Sequence, residues 1–255
     1  MNENFKKKFA LAGFGMVTSR QLGISGRSLL VEAARLAIAD AGLKREDIDG
    51  SVELRRAGGG GERIWQSDAF PRVLGLPVKF FYTIGRGGAL ISMGAVSAMK
   101  LLELGIANYV VLAGSVSDWT HSQQAKAKTK GHRGMGGTVE KEGYWGKPFG
   151  DLRAVSHHSF FSSLHMHVYG TTSRQFGAIA VAQRQWAQMN PKAQMYGRSM
   201  TIEDHQNSPV FVHPYHLYDI CQVSDGAVAA VLTTADRAKD CARAPIYVLG
   251  IGFGE

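Results

Sequence analysis

Cysteine is nearly absent from this chain: 255 residues hold two, Cys221 and Cys241. They are too few for a disulfide framework and lack the CxxC spacing of a zinc site or redox pair. Long apolar runs are missing as well. No stretch approaches the roughly 18 to 20 residues needed to span a bilayer, and the start, MNENFKKKF, has a basic patch without the apolar core of a signal peptide. A reducing compartment, the cytoplasm, is the expected location. Acidic residues are in deficit, 21 against 29 Lys and Arg, giving a formal net charge of +8. That sign suits nucleic acid, a membrane surface or a phosphate-rich ligand. Lys6 to Lys8 read as a solvated terminus, and Lys126, Lys128, Lys130 and Arg133 as a solvated loop. Neither cluster has the interleaved aromatics of a nucleic-acid surface.

What is present is enough apolar content, 45%, for a sizeable core. Its pattern alternates between strand and helix. Residues 9–17 read as a buried strand. Residues 28–41 read as a helix, with Leu29, Ala33, Leu36, Ala37 and Ala41 at helical spacing, Ser28 as N-cap and Gly42 as a left-handed stop. A strand at 50–54, a glycine-rich turn, a helix near 64–74 and a strand at 78–82 follow. The helix expected at 88–104 carries Ala89, Ser92, Gly94, Ala95, Ser97 and Ala98, small residues that let neighbouring backbones approach closely; Gly105 ends it. Residues 108–113 (NYVVLA) suit a central parallel strand. Strands joined by crossover helices imply a mostly parallel sheet covered on both faces.

Between about 115 and 169 the pattern breaks down into Gly, Lys, His and Ser with isolated aromatics, Trp119, Tyr144, Trp145 and Phe149. A structureless loop of that length is uncommon, so it is either an excursion with structure of its own or partly disordered. Order returns at Thr172, which with Gln175 has capping-box spacing, and a helix runs on to Asn190 and Pro191. A strand at 225–233, a short helix at 235–242 and a strand at 246–251 complete the expectation.

Four segments, in this order, resemble the sterol-carrier and lipid-transfer branch of the thiolase superfamily. They are LLVEAARLAIADAGLKREDIDG, the glycine turn and small-residue helix ending GIANYVVLAG, YGTTSRQFGAIAVAQRQWAQMNPKA, and CQVSDGAVAAVLTTADRA. The resemblance implies an α/β thiolase fold, in which two copies of a βαβ-type unit pack their sheets around a buried helix layer and chains usually dimerise. Residues 1–244 match the first copy, with the excursion at about 115–169, and 245–255 look like the opening strand of a second copy that is otherwise without counterpart. That second half normally supplies the catalytic His and much of the acyl tunnel. Acyl-CoA is the implied substrate or ligand, with no covalently bound cofactor and no metal.

The family places a reactive Cys at the start of the helix following the strand–turn unit, yet residues 78–114 contain none. Counting back from Gly105 puts Gly88 at that position. A helix N-terminus lowers a thiol's pKa and offers free N–H groups to a developing oxyanion; glycine keeps the N–H groups and loses the sulfur. This resembles the family's acyl-CoA retro-aldolases, which work with a small OB-fold, zinc-ribbon partner and need no thioester nucleophile. Arg86, Gly87, Gly88 and Ala89 are thus candidate oxyanion and substrate-binding residues; as a phosphate cradle, IGRGGA lacks a Walker lysine and GxGxxG spacing, and close backbone packing is the better reading.

Other residues have plainer readings. His157, His158, His165 and His167 form a cluster that could bind metal or exchange protons, but no carboxylate or thiolate stands at ligand spacing, and a surface or loop-packing role is the simpler account. Cys221 and Cys241 read as small core hydrophobes, and Asp225 with Gly226 as a turn and strand-entry device. Three functions stay open: a subunit or fragment of an aldol-type acyl-CoA lyase, an inactive acyl-CoA or lipid-binding module, and a truncated thiolase without function. A homodimer or heteromer is expected in the first two.

Overall fold

The computed structural model describes residues 6–19, 23–55, 69–85, 90–120, 122–123 and 154–252. In chain order the elements are β1 (Phe9–Ser19), α1 (Gly26–Asp40), β2 (Gly50–Arg55), α2 (Ala69–Leu74), β3 (Phe80–Gly85), α3 (Leu90–Glu103) and β4 (Tyr109–Ser117). Then come α4 (Ala154–Tyr169), α5 (Ser173–Met189), α6 (Ile202–Gln206), β5 (Val210–Val212), β6 (Tyr215–His216), β7 (Asp225–Thr234), α7 (Ala235–Ala238) and β8 (Ile246–Tyr247). They fall into two units, residues 1–133 with 224–255, and residues 134–223. No helix among the described residues is long and apolar enough to cross a membrane.

The first unit is a six-stranded sheet in the order β3-β2-β4-β7-β1-β8. It is mixed rather than mostly parallel. The crossovers through α2 and α3 make β2 parallel to both β3 and β4, as expected, but β7 runs antiparallel to β4 and to β1, and β8 antiparallel to β1. The chain re-enters beside β4 from the opposite direction, which no local pattern in the sequence encodes.

One face of this sheet packs on α1 and α2 through Leu29, Ala33, Ala37, Phe70, Val111 and Val231. The approach is unusually close. A Cβ on Gly15 would stand 2.1 Å from the Ala33 carbonyl oxygen, and one on Gly13 2.2 Å from that of Ala37. Glycines on β1 and alanines on α1 therefore bring backbone against backbone. The opposite face carries α3, with Val52, Leu54, Met99, Leu102 and Leu112 in its core. Cover there is incomplete: Phe14 and Met16 on β1 and Val116 on β4 are exposed.

Several boundaries differ from expectation. Ser25, rather than Ser28, caps α1: its hydroxyl accepts from the Ser28 N–H, so the helix starts nearly a turn earlier. The strand expected at 78–82 begins at Phe80, where pairing with Gly50 starts, and runs to Gly85. The helix near 64–74 is described only as α2. α7 stops at Ala238, and β8 holds two residues because β1 pairs with it only at Ala10 and Leu11. Gly42 and Gly105 end α1 and α3 with φ of 71° and 67°, as expected.

The second unit corrects the excursion. β4 runs on to Ser117 and residues 154–169 are a helix, so the unpatterned stretch narrows to 124–153, outside the described residues, together with Lys126, Lys128, Lys130 and Arg133. The helix was hidden because its polarity is inverted. Ser156 and Ser159 are buried while Phe160, Phe161 and Leu164 are exposed. α5 carries the expected capping box, with the Gln175 side chain accepting from the Thr172 N–H at 2.7 Å.

Candidate active site at the carboxyl ends of the parallel strands

β2, β3 and β4 are parallel and in register, so their carboxyl ends at Arg55, Gly85 and Ser117 lie along one edge of the sheet. In open α/β sheets that edge is where ligands sit. α3 starts at Leu90, shortly after β3 ends at Gly85, and so presents its electropositive end there. Arg86, Gly87, Gly88 and Ala89 fall between the two elements and lie outside the described residues. Their frame is well defined: a Cβ on Gly94 would stand 2.5 Å from Leu54 and 2.7 Å from Leu112, so α3 is seated tightly on β2 and β4.

Glu53 is a buried carboxylate near this edge, 7% exposed and opposite Thr83. Strand alternation turns it to the α1 and α2 face, because Val52 and Leu54 on either side belong to the α3 core. It is therefore not placed to serve a ligand at the start of α3. On the same face Asp225, wholly buried, accepts hydrogen bonds from the Thr120 N–H and hydroxyl at 3.1 and 2.6 Å. Asp225 does open a strand, as its motif suggested.

The histidine cluster belongs to a helix rather than a loop. His157, His158, His165 and His167 are all exposed on α4, and two of them pack on rings one turn away, His157 on Phe161 at 5.1 Å and His165 on Tyr169 at 4.7 Å. No group of three or more His, Cys, Asp or Glu able to hold a metal occurs among the described residues. The cysteine expectation fails. Cys221 is exposed, because it precedes the ladder of β7, and Cys241 is only half-buried beyond the end of α7. Burial and the Asp240 carboxylate push the Cys241 thiol up, the reverse of what activates a nucleophile.

Sequence reasoning missed a buried polar cluster in the second unit. His205 on α6 is completely buried, and its Nε2 lies 2.7 Å from Asp219. A carboxylate only accepts, so Nε2 donates and Nδ1 is left to accept from the Gln206 amide at 2.9 Å; that amide also donates to Ser173 on α5. The second Asp219 oxygen accepts from the His216 N–H at 2.7 Å. Gly177 leaves the necessary space, since a Cβ there would stand 2.7 Å from His205 Nδ1. With its imidazole wholly buried and both ring nitrogens engaged, His205 pins the second unit rather than offering a free group for chemistry. A lone His on a five-residue helix gave no signal for it.

A cavity of about 480 Å³ opens at the other ends of the parallel strands, among Glu46, Asp49, Lys79, Asn108, Tyr109 and Arg237. Asp49 is fully engaged there, accepting from the N–H groups of Asn108 and Tyr109, from the Asn108 amide and from Lys79. It ties the starts of β2 and β4 together.

No protein-family profile matches the chain. A steroid side-chain-cleaving aldolase of Thermomonospora curvata is 34% identical over 247 residues, 96% of this chain and 61% of that protein. A 17-hydroxy-3-oxo-4-pregnene-20-carboxyl-CoA lyase of Mycobacterium tuberculosis is 32% identical over 94% of this chain and 61% of its own length. Among solved structures, an Ltp2-ChsH2(DUF35) aldolase superposes with a TM-score of 0.80 at 33% identity, over 96% of this chain and 60% of that one. The chain belongs to the thiolase superfamily. The relatives it resembles at a third identity are named as an aldolase and a lyase. A monomeric SCP2-thiolase-like protein of Mycobacterium smegmatis, with a TM-score of 0.67 at 16% identity over 96% of this chain and 48% of its own, shares the fold. This superfamily member spans about three fifths of the length of the curated relatives it matches.

Proposed function

We propose that this chain is part of an aldol-type carbon–carbon lyase acting on a β-hydroxyacyl-CoA in the cytoplasm. The observation that carries the reading is the 34% identity, across 96% of the chain, to a protein named for cleaving a carbon–carbon bond. A nucleophile turn without cysteine agrees with it. In such a reaction a base takes the β-hydroxyl proton and the Cα–Cβ bond breaks. Its electron pair moves into the thioester as an enolate, the carbonyl product leaves, and an acid returns a proton to Cα. N–H groups of residues 86–89 at the start of α3 hold the enolate oxygen in this reading, and the acid and base come from outside the described residues.

Two surfaces support a larger assembly. Among the described residues β3 is the outermost strand on its side of the sheet; it reads Phe-Phe-Tyr-Thr-Ile-Gly with no charge, and Tyr82 on it is exposed, so a second copy pairing along this strand would satisfy it. The uncovered face around Phe14, Met16 and Val116 suits the part of the fold that the longer relatives contain and this chain does not match. A DUF35-type protein is the proposed further partner, by analogy with the assembly named above.

The test is product formation. The chain is mixed with a β-hydroxyacyl-CoA, alone and with a DUF35-type partner and the remaining segment of a relative supplied in trans. Ketone or aldehyde and shortened acyl-CoA are expected only in the complemented mixture. Acyl-CoA binding without product in every mixture would instead identify a carrier.

A further inference from the structure

The connections that take the chain out of the six-stranded sheet and back into it start side by side. β4 ends at Ser117, β7 begins at Asp225, and these two residues are cross-strand partners. Directly after β4, residues 118–120 are helical. The first N–H groups of a helix have no partner within it, and an N-cap side chain ordinarily supplies one to the third residue. Ser117 stands at that N-cap position, but its hydroxyl points elsewhere, 3.2 Å from where a Gly26 Cβ would stand at the start of α1.

Asp225 does the capping in its place. Its carboxylate accepts from the Thr120 N–H and the Thr120 hydroxyl, and both residues are buried, Asp225 completely. A local cap secures only the helix it begins. This one comes from 105 positions further along the chain and so fastens the outgoing connection to the returning one. Both bonds run to one carboxylate, which strengthens them and makes the loss of either expensive.

The geometry points to Asp225 as a latch that closes the neck between Ser117 and Asp225, so that the neck opens locally according to this carboxylate and independently of the sheet. The inference concerns the chain's architecture and stands whether or not the chain cleaves an acyl-CoA. Hydrogen exchange on the full chain tests it. Thr120→Val keeps the shape and the N–H but removes the hydroxyl bond; exchange at the Thr120 amide is expected to accelerate roughly tenfold or more, while the Val231 amide in the middle of β7 keeps its rate. Thr120→Ser, which retains the hydroxyl, is expected to exchange like the parent. Asp225→Ala should exceed Thr120→Val at the same amide; should it fail to fold, the two Thr120 variants still decide. An unchanged Thr120 rate in Thr120→Val would overturn the latch, and so would equal acceleration at Thr120 and Val231, because the carboxylate would then be supporting the whole sheet.

Discussion

The two units of this chain are held by different forces. In the first, aliphatic and aromatic side chains fill both faces of a sheet, and glycine on β1 lets α1 settle against the backbone itself. In the second, the buried apolar side chains among the described residues are Met200 and Pro214, and the fully enclosed side chain is His205, fixed by Asp219 and Gln206. Meanwhile Phe160, Phe161, Leu164, Ile179, Trp186 and Met189 stand exposed. Apolar burial tolerates some repacking, whereas a buried polar pin is all or nothing, because each lost partner leaves a desolvated group behind. The first unit is therefore robust to small volume changes but not to separation of its layers, and the second depends on a few bonds.

The largest effect is expected from driving the layers of the first unit apart. Gly15→Val puts carbon where the Ala33 carbonyl already is, at 2.1 Å from the new Cβ, and should leave no cooperatively folded sheet by circular dichroism or thermal melting. Next is removal of the pin. His205→Ala empties a buried site and removes one of the donors to the Asp219 carboxylate, a loss of about 3 kcal/mol, and exchange measurements should find it confined to residues 154–223. If β4 and β7 lose protection too, the two units are not held separately. Gly177→Ala should give a milder version of the same local change, about 1–3 kcal/mol, as the new methyl crowds His205 and Ile202.

The smallest effect is electrostatic and belongs to the first unit. Burial pushes the Asp40 carboxyl up, but hydrogen bonds from the Phe14 N–H and from Arg243, with the charge of that guanidinium, outweigh it and hold the carboxyl below its ordinary value. The stabilisation is present above the carboxyl's unfolded pKa and fades as pH falls through the lower folded one. Asp40→Asn should flatten that acid limb by less than about 1 kcal/mol, since the pair is partly exposed. A titration of melting temperature in both proteins checks it, and an unchanged acid limb would remove Asp40 from the account.

Where the chain speaks locally, its sequence was readable. Thr172 with Gln175, Gly42 and Gly105 announced their helix ends, and four segments carried the superfamily. Ser28 was read as the cap of α1 because the apolar spacing begins beside it, whereas the Ser25 hydroxyl holds the Ser28 N–H and starts the helix earlier. Partnerships between distant strands were not legible: nothing near Asp225 says that β7 will lie antiparallel between β4 and β1. α4 was lost because its buried residues are serines, and His205 because a single histidine looks the same in a pin as on a surface. The absent cysteine was legible, and the resemblance read beside it already pointed away from a thioester nucleophile.

The adjacency of Ser117 and Asp225 also says something about how such a chain can change. Stretching a short hairpin loop to the length between them costs roughly 3 kcal/mol in closure entropy, because that cost grows only with the logarithm of length. A sheet that has met this cost once holds a socket. Whatever is threaded between those two residues can be enlarged, trimmed or exchanged while β4 and β7 keep their register, without the sheet having to be reinvented.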